Sequence, residues 1–289
     1  MSGGSADGHL TWRQLWAETA DHLGDANEAR WMCQEAGGLD SIEWATSLDD
    51  AVTERVVARV DAMTARRRAG EPLQYVLGSW AFRTVELMVD RRVLIPRPET
   101  ELLAGYAIDE ARRLASRRVV VDLGTGSGAI ALSCAAELSI EGTTVWGTDA
   151  SHDALEVARA NAAGLGRAAA NIRLAAGPWF EALPEDLRGD VDVVVSNPPY
   201  IAHGDDEVAA DVLAWEPHDA LFSGDDGLAD IRHIVEHARH WLRPGGVLLL
   251  EFGHRQGESV RQLLHNHGYR DVEIRPDLAG RDRIAHARR

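Results

Sequence analysis

An α/β fold is what this 289-residue sequence predicts: a mainly parallel sheet of seven strands, helices on both faces, and a small helical domain in front. Two observations predict it. From about residue 96 onward, short β-branched runs alternate with helical patterns, as βα units around a parallel sheet require. Before residue 79 there is no such alternation, and apolar residues recur at spacings of three and four. The chain divides on this basis into a helical domain at 1–78, a hairpin linker at 79–95 and a sheet domain at 96–289.

Taken in order, "LTWRQLWAETADHL" and "NEARWMCQEAG" read as amphipathic helices that Gly24 and Gly37 bring to a stop. A third helix begins in "TSLDDAVTERVVARVDAMTARRRAG", with Ser47 and Asp50 as a capping box and Val52, Val56, Val60 and Met63 on one face. "QYVLGSWAFRTVELMVDRRVLI" alternates and is punctuated by glycine, so it reads as a hairpin region joining the two domains. The expected strands are 118–123, 143–148, 171–176, 192–197, 246–252, 269–275 and 282–287. Helical patterns occupy 100–116, 128–138, 151–164, 226–243 and 256–267, which covers the sheet on both faces.

Composition bounds the function. The 46 acidic and 30 basic residues give a formal charge of −16, which opposes sequence-independent binding to phosphate backbones. The two cysteines, Cys33 and Cys134, lie far apart in apolar contexts and offer neither a disulfide framework nor a metal spacing, as suits a reducing cytoplasm. "MSGGSADGHL" lacks the basic start and apolar core of a signal peptide and reads as a frayed tail, and no apolar run approaches the ~18 residues of a membrane span. A soluble, cytoplasmic protein is expected. Five of the nine tryptophans (Trp12, Trp16, Trp31, Trp44, Trp80) fall in the first 80 residues, where filling small cores is a better use for them than stacking on bases.

"VVVDLGTGSGAIAL" runs from an apolar strand through Gly124, Gly126 and Gly128 into a helix, the context a nucleotide site needs. The spacing is G-x-G-x-G rather than the dinucleotide G-x-G-x-x-G. Asp122 ends the strand, and Asp149 ends the next, where its carboxylate could accept both ribose hydroxyls. Two acids in these places suit a ligand that carries a sulfonium and an ammonium but no pyrophosphate. An ordinary βα turn, another nucleotide, or Asp149 as a mere helix-start acid beside Ser151 remain competing readings. The loop resembles the first motif of Rossmann-like methyltransferases, where it packs against the amino-acid and ribose parts of S-adenosylmethionine.

"VVVSNPPYIA" places Asn197, Pro198, Pro199 and Tyr200 at the end of another buried strand. Pro198 forces Asn197 out of α geometry, and the two prolines remove amide donors while keeping carbonyl acceptors. The Asn197 side-chain oxygen and the Pro198 carbonyl can hold the two hydrogens of a planar NH2 group, while Tyr200 stacks on its flat face. Its nitrogen could then approach a sulfonium methyl at roughly 3–3.5 Å, so that positioning replaces a strong base. An Asn-Pro-Pro turn leaving a strand is the plain alternative. The motif alone does not separate an amide nitrogen from an exocyclic adenine nitrogen.

Seven stretches occur in an order specific to one family: "EPLQYVLG" (71–78), "VLIPRPETELL" (93–103), "VVDLGTGSGAIAL" (120–132), "SNPPYI" (196–201), "EPHDALFSGDDGL" (216–228), "LRPGGVLLLEFG" (242–253) and "DLAGRDRI" (277–284). From about residue 10 to 289 the chain resembles the release factor glutamine methyltransferases, Rossmann-like class I S-adenosylmethionine-dependent enzymes with an N-terminal helical bundle. The resemblance implies methylation of the side-chain amide of the Gln in the Gly-Gly-Gln motif of class-I peptide chain release factors. It implies that Gly124, Thr125, Gly126, Gly128 and Asn197 contact S-adenosylmethionine, that Asp149 holds its ribose, and that Trp179 lies against its adenine. Relatives often carry an acidic residue where this chain has Pro178. The resemblance further assigns Asn197, Pro198, Pro199 and Tyr200 to the substrate clamp, with Asn197, Pro198 and Tyr200 catalytic, and the N-terminal bundle to gripping the release factor. Arg97, Glu99 and Thr100 of "PRPETE" either close over the cofactor or merely start a helix.

A sister activity on a glutamine of a ribosomal protein is the near alternative, and an adenine-N6 methyltransferase of nucleic acid a more distant one, which the charge opposes. No direct nucleic-acid or membrane contact is expected, and a monomer. His233, His237 and His240 have a spacing that could bind metal, but Ile231, Ile234, Val235, Ala238 and Trp241 define the buried stripe and leave the histidines on the wet face, so no metal is expected. Asp205, Asp206 and Glu207 read as a solvated loop rather than a general base.

Overall fold

The computed structural model describes residues 9–289; residues 1–8, most of the expected N-terminal tail, lie outside the described residues. Two compact units meet in sequence at Gly78 and Ser79.

The first unit is helical: α1 (Trp12–Leu23), α2 (Ala26–Gly37), α3 (Ser41–Ser47), α4 (Glu54–Arg68) and α5 (Leu73–Leu77). Its core holds Trp12, Leu15, Met32, Cys33, Trp44, Val60 and Met63. Trp12 and Trp16 each meet Trp44 edge-on at 5.9 Å between centroids, a geometry that aromatic quadrupoles favour. Trp31, by contrast, is exposed.

Two local expectations are corrected here. Helix α2 runs through Gly37 and stops at Gly38, whose φ of 66° supplies the left-handed cap. Ser47 and Asp50 do not cap α4: Ser47 ends a separate short helix, α3, started by a capping box of Asp40 and Glu43. The cap of α4 is Thr53, whose hydroxyl accepts from the Val56 amide. Asp40, Ser47, Asp50 and Thr53 are all competent N-caps, and of these Asp40 caps α3 and Thr53 caps α4.

The second unit, Ser79–Arg289, opens with an antiparallel hairpin of β1 (Ser79–Phe82) and β2 (Val85–Met88). Then follow α6 (Pro98–Arg112), β3 (Arg118–Leu123), α7 (Ala129–Glu137), β4 (Thr143–Asp149), α8 (His152–Gly164), β5 (Ile172–Ala176), β6 (Val191–Ser196) and α9 (Ala210–Trp215). The chain ends with α10 (Ala229–Trp241), β7 (Leu242–Glu251), α11 (Gly257–Asn266), β8 (Arg270–Pro276) and β9 (Asp282–Arg288).

Strands β3 to β9 form one seven-stranded sheet in the order β5-β4-β3-β6-β7-β9-β8, antiparallel only where β9 meets β7 and β8. All six residues of β6 are buried, as a central strand covered on both faces requires. Helix α10 buries Ile231, Ile234, Val235, Ala238 and Trp241, each large aliphatic side chain contributing roughly 1.5–3 kcal/mol. On that helix His240 is exposed, while His233 and His237 are half-buried and stack on each other with centroids 4.2 Å apart.

Strand order reverses direction between β3 and β6, the neighbours at the centre. Ligand sites in such sheets open at the carboxyl ends of the strands at this switch point. The ends of β3 and β6 carry the Gly loop and the Asn-Pro-Pro-Tyr segment.

Candidate active site

Leu123 pairs with Ser196 at the last rung between β3 and β6, so Gly124 and Asn197 leave the sheet side by side. Gly124, Gly126 and Gly128 have φ of 67°, 56° and 86°, the left-handed region that favours glycine. A methyl group on Gly124 would stand 3.4 Å from the Trp179 ring, and one on Gly128 2.9 Å from Leu132, whereas Gly126 faces open space. The loop is held from behind by Asn161, whose Nδ2 donates to the Ser127 carbonyl at 2.9 Å and which also pairs with the Met88 backbone.

Asp122 is bonded within the loop and is not in the cavity wall, whereas the sequence suggests two acids facing the cofactor. It is 1% exposed, and its Oδ2 accepts from Thr125 Oγ1 at 2.6 Å and from the Ala131 amide at 3.1 Å. Burial pushes its carboxyl up to about 7, against the pull of those two donors. Asp149 does line the cavity at the mouth of the loop. Its Oδ2 accepts from the Gly126 amide at 2.9 Å and its Oδ1 from the Ser151 amide at 2.8 Å. Burial raises its carboxyl above the usual range, opposed by those amides. Each oxygen keeps a further lone pair, enough to accept a pair of ribose hydroxyls.

The cavity measures about 520 Å3, and Gly124, Thr125, Gly126, Asp149, Trp179, Asn197 and Pro199 are in its wall together with Pro96 and Thr100; such a volume suits a nucleoside-sized ligand. Gly128 sits behind the wall and starts α7. Trp179 holds a φ of 47° and its carbonyl accepts from Thr148 Oγ1 at 2.9 Å. A non-glycine residue held there is a strained position of the kind that binding sites retain. An open glycine edge, an acid with spare lone pairs and an aromatic wall together fit S-adenosylmethionine, and among the described residues Arg92 is the single basic side chain in this wall, short of the cluster that would answer a pyrophosphate.

A second cavity of about 470 Å3 is walled by Arg97, Asn197, Pro198, Tyr200, Gly253 and Arg283, among others. Asn197 borders both cavities. The segment beyond Tyr200 is pinned: the Ile201 amide donates to the Leu221 carbonyl at 3.0 Å and the Ser223 amide to the Ile201 carbonyl at 2.8 Å. Gln256 Nε2 donates to the Tyr200 carbonyl at 3.0 Å. The "PRPETE" stretch is pinned as well, because the buried Glu216 accepts from the Ile95 amide at 3.0 Å and pairs with Arg97. Pro98 then begins α6, which brings Thr100 to the site; Glu99 lies in neither cavity wall and meets Arg281 at 3.9 Å.

Behind the two cavities stands Glu251, the last residue of β7 and 1% exposed. Thr100 Oγ1 donates to Glu251 Oε2 at 2.8 Å, and Asn197 Nδ2 donates to Thr100 Oγ1 at 3.1 Å. Tyr200 reaches Glu251 Oε1 through its hydroxyl at 3.4 Å. Burial pushes Glu251 up to about 7, opposed by the Thr100 hydroxyl and by Arg283, and burial likewise raises the Tyr200 phenol. The residues that sequence reasoning missed as functional are Glu251, seen only inside a matching stretch, and Glu216. A lone acid closing the apolar run "VLLLEF" was the available signal for the first.

Asp205, Asp206 and Glu207 are exposed, and Glu207 pairs with Arg255 at 2.8 Å.

Residues 114–268 match the family described as "Methyltransferase domain", and residues 14–78 the "PrmC N-terminal domain". A protein of Burkholderia pseudomallei named release factor glutamine methyltransferase is 44% identical over 267 residues, covering 91% of this chain and 92% of that one. Its namesake in Gloeobacter violaceus is 42% identical over 285 residues, covering 96% and 95%. Among solved structures, a methyltransferase from Pyrococcus furiosus shares the fold with a TM-score of 0.50 at 19% identity, covering 80% of this chain and 95% of that one.

Proposed function

This chain belongs to the release factor glutamine methyltransferases, and from that premise we propose that it methylates the side-chain amide nitrogen of the Gln in the Gly-Gly-Gln motif of class-I release factors. When bound, S-adenosylmethionine supplies a methyl group made electrophilic by its sulfonium. Gly124, Thr125, Gly126 and Gly128 shape its seat, Asp149 accepts from its ribose hydroxyls, and Trp179 packs against its adenine.

The substrate glutamine enters the second cavity. Asn197 Oδ1 and the Pro198 carbonyl accept the two amide hydrogens, Tyr200 covers the flat face, and Pro199 keeps the backbone rigid. The amide is thereby fixed with its nitrogen turned to the reaction path, and orientation supplies much of the rate. A cation formed at the nitrogen sheds its proton afterwards, so no side chain has to remove one beforehand. The observation that carries this reading is the place of Asn197 in the wall of both cavities.

The −16 charge supports a basic, RNA-binding protein partner rather than nucleic acid itself. Two buried thiols without a disulfide support a reducing cytoplasm. A monomer without membrane or direct nucleic-acid contact completes the proposal.

Transfer of label from S-adenosylmethionine tests it, with release factor, its Gly-Gly-Gln Gln→Ala variant, ribosomal protein and unmethylated DNA as parallel substrates. Label on the intact release factor alone is the expected result. Label on ribosomal protein or DNA instead would reassign the partner.

A further inference from the structure

The side-chain oxygen of Asn197 is useful only if it, and not the amide nitrogen, faces the substrate, and an Asn side chain has no intrinsic preference between the two. The hydrogen bonds behind it decide. An ionised carboxylate only accepts, so the Thr100 hydroxyl spends its single hydrogen on Glu251 Oε2. Its oxygen can then only accept from Asn197, which must present Nδ2 at 3.1 Å. The Oδ1 of Asn197 is left to the substrate. The same carboxylate receives the Tyr200 hydroxyl on its other oxygen.

We propose that Glu251 is a positioning residue that sets the direction of the Glu251-Thr100-Asn197 chain and anchors Tyr200, so that both substrate-facing groups depend on its ionised form. The inference rests on the reading of Asn197 and Tyr200 as the substrate clamp. Were Glu251 protonated, it could donate to Thr100, the Thr100 hydrogen would turn to Asn197, and the carboxamide would present its nitrogen to a substrate that itself donates. Two donors would then face each other.

The groups around the carboxylate are Thr100 and Glu99 from α6, Tyr200 beyond β6 and Arg283 of β9. Arg283 favours the ionised form and Glu99 opposes it. Burial outweighs Arg283 and the two hydroxyl donors and leaves Glu251 at about 7, within the range where enzymes work. The structure thus predicts an acid limb on kcat that falls about tenfold for each pH unit below that value.

The experiment compares wild type, E251Q, T100V, T100S and N197A for pH-dependent kcat on release factor, with S-adenosylmethionine affinity measured by calorimetry in each. In E251Q the uncharged amide can either donate to or accept from Thr100, so kcat at pH 8 should fall at least tenfold, the acid limb should flatten, and cofactor affinity should stay within about twofold. T100V should show the same fall, T100S should recover most of it, and the combined E251Q/T100V variant should be no slower than either single one. E251Q with the wild-type kcat and acid limb, or with cofactor affinity lost in proportion to kcat, would overturn the proposal. A wild-type protein that leaves release factor unlabelled, or an N197A variant that retains turnover, would instead fail the underlying clamp and leave its mark before any Glu251 variant is made.

Discussion

Ser196 Oγ donates a 2.7 Å hydrogen bond to the Leu123 carbonyl, and this buried contact joins the ends of the two strands that carry the Gly loop and the Asn-Pro-Pro-Tyr segment. Beyond it, one strand turns into the Gly loop and the other into the Asn-Pro-Pro-Tyr segment. The register between cofactor seat and substrate clamp is thereby fixed within one rung of the sheet. A rigid scaffold at the switch point with function displayed just past it is the general design of open α/β sheets.

Substitution N197A should abolish turnover, by at least about a thousandfold in kcat at saturating cofactor, because an acceptor and the orientation it imposes are lost together. Affinity for S-adenosylmethionine should change little, since Asn197 meets the cofactor cavity only at its edge with the second cavity. Single-turnover kinetics with calorimetry separate the two quantities. Full activity in this variant would remove Asn197 from the mechanism.

Substitution D149N should act in the opposite way. One oxygen of Asp149 holds the Gly126 amide and the other the Ser151 amide, so an Asn must turn its NH2 on one of these donors. Cofactor Kd should rise about 10–100-fold, equal to about 1.4–2.8 kcal/mol, while kcat at saturation stays near wild type. Equilibrium dialysis at two pH values checks it.

Gly227 is a backbone neighbour of the clamp. Its φ is 72°, and a methyl group there would stand 2.3 Å from the Tyr200 carbonyl oxygen. G227A must therefore displace Tyr200, and kcat should fall about tenfold or more. G245A makes the control: φ is 79° but no atom lies within 4 Å. That variant should lose about 1–2 kcal/mol of stability to backbone strain without slowing catalysis, as chemical denaturation and initial rates would show.

Legibility in the sequence followed the range of the interactions. Strands such as Arg118–Leu123 and the glycine and Asn-Pro-Pro-Tyr turns are written locally, in β-branching and in backbone restrictions, and the structure has them within a residue or two. The Thr100-Glu251 bond spans 151 residues, and no local pattern announces which buried acid will meet which hydroxyl. Asp122 misled for a related reason: at a strand end an acid can turn outward to a ligand or inward to its own loop, and only packing against α7 selects the second. The cap of α4 failed on degeneracy, with seven residues of capping type (Ser, Thr or Asp) between 40 and 53.

Asp122 gives the remaining prediction, in stability rather than catalysis. Its folded-state value of about 7 lies above the 3.8 of an ordinary Asp, so the folded chain keeps a proton that the unfolded chain releases. The stability that this proton contributes is fully present below about pH 4, declines by about 1.4 kcal/mol per pH unit above it, and is gone once the pH passes through about 7. Asn at this position accepts from Thr125 Oγ1 and the Ala131 amide without ever carrying a charge. The difference between wild type and D122N, read from urea unfolding at pH 5, 6, 7 and 8, should therefore move toward the variant by about 1.4 kcal/mol per unit from pH 5 to 7 and level off by pH 8. Taking the difference cancels the many surface carboxylates whose salt bridges act in the opposite sense, such as Asp49 beside Arg13. A difference constant over the whole range would mean that Asp122 stays ionised in the folded protein, and that the Gly loop is held by a buried charge rather than by a buried acid.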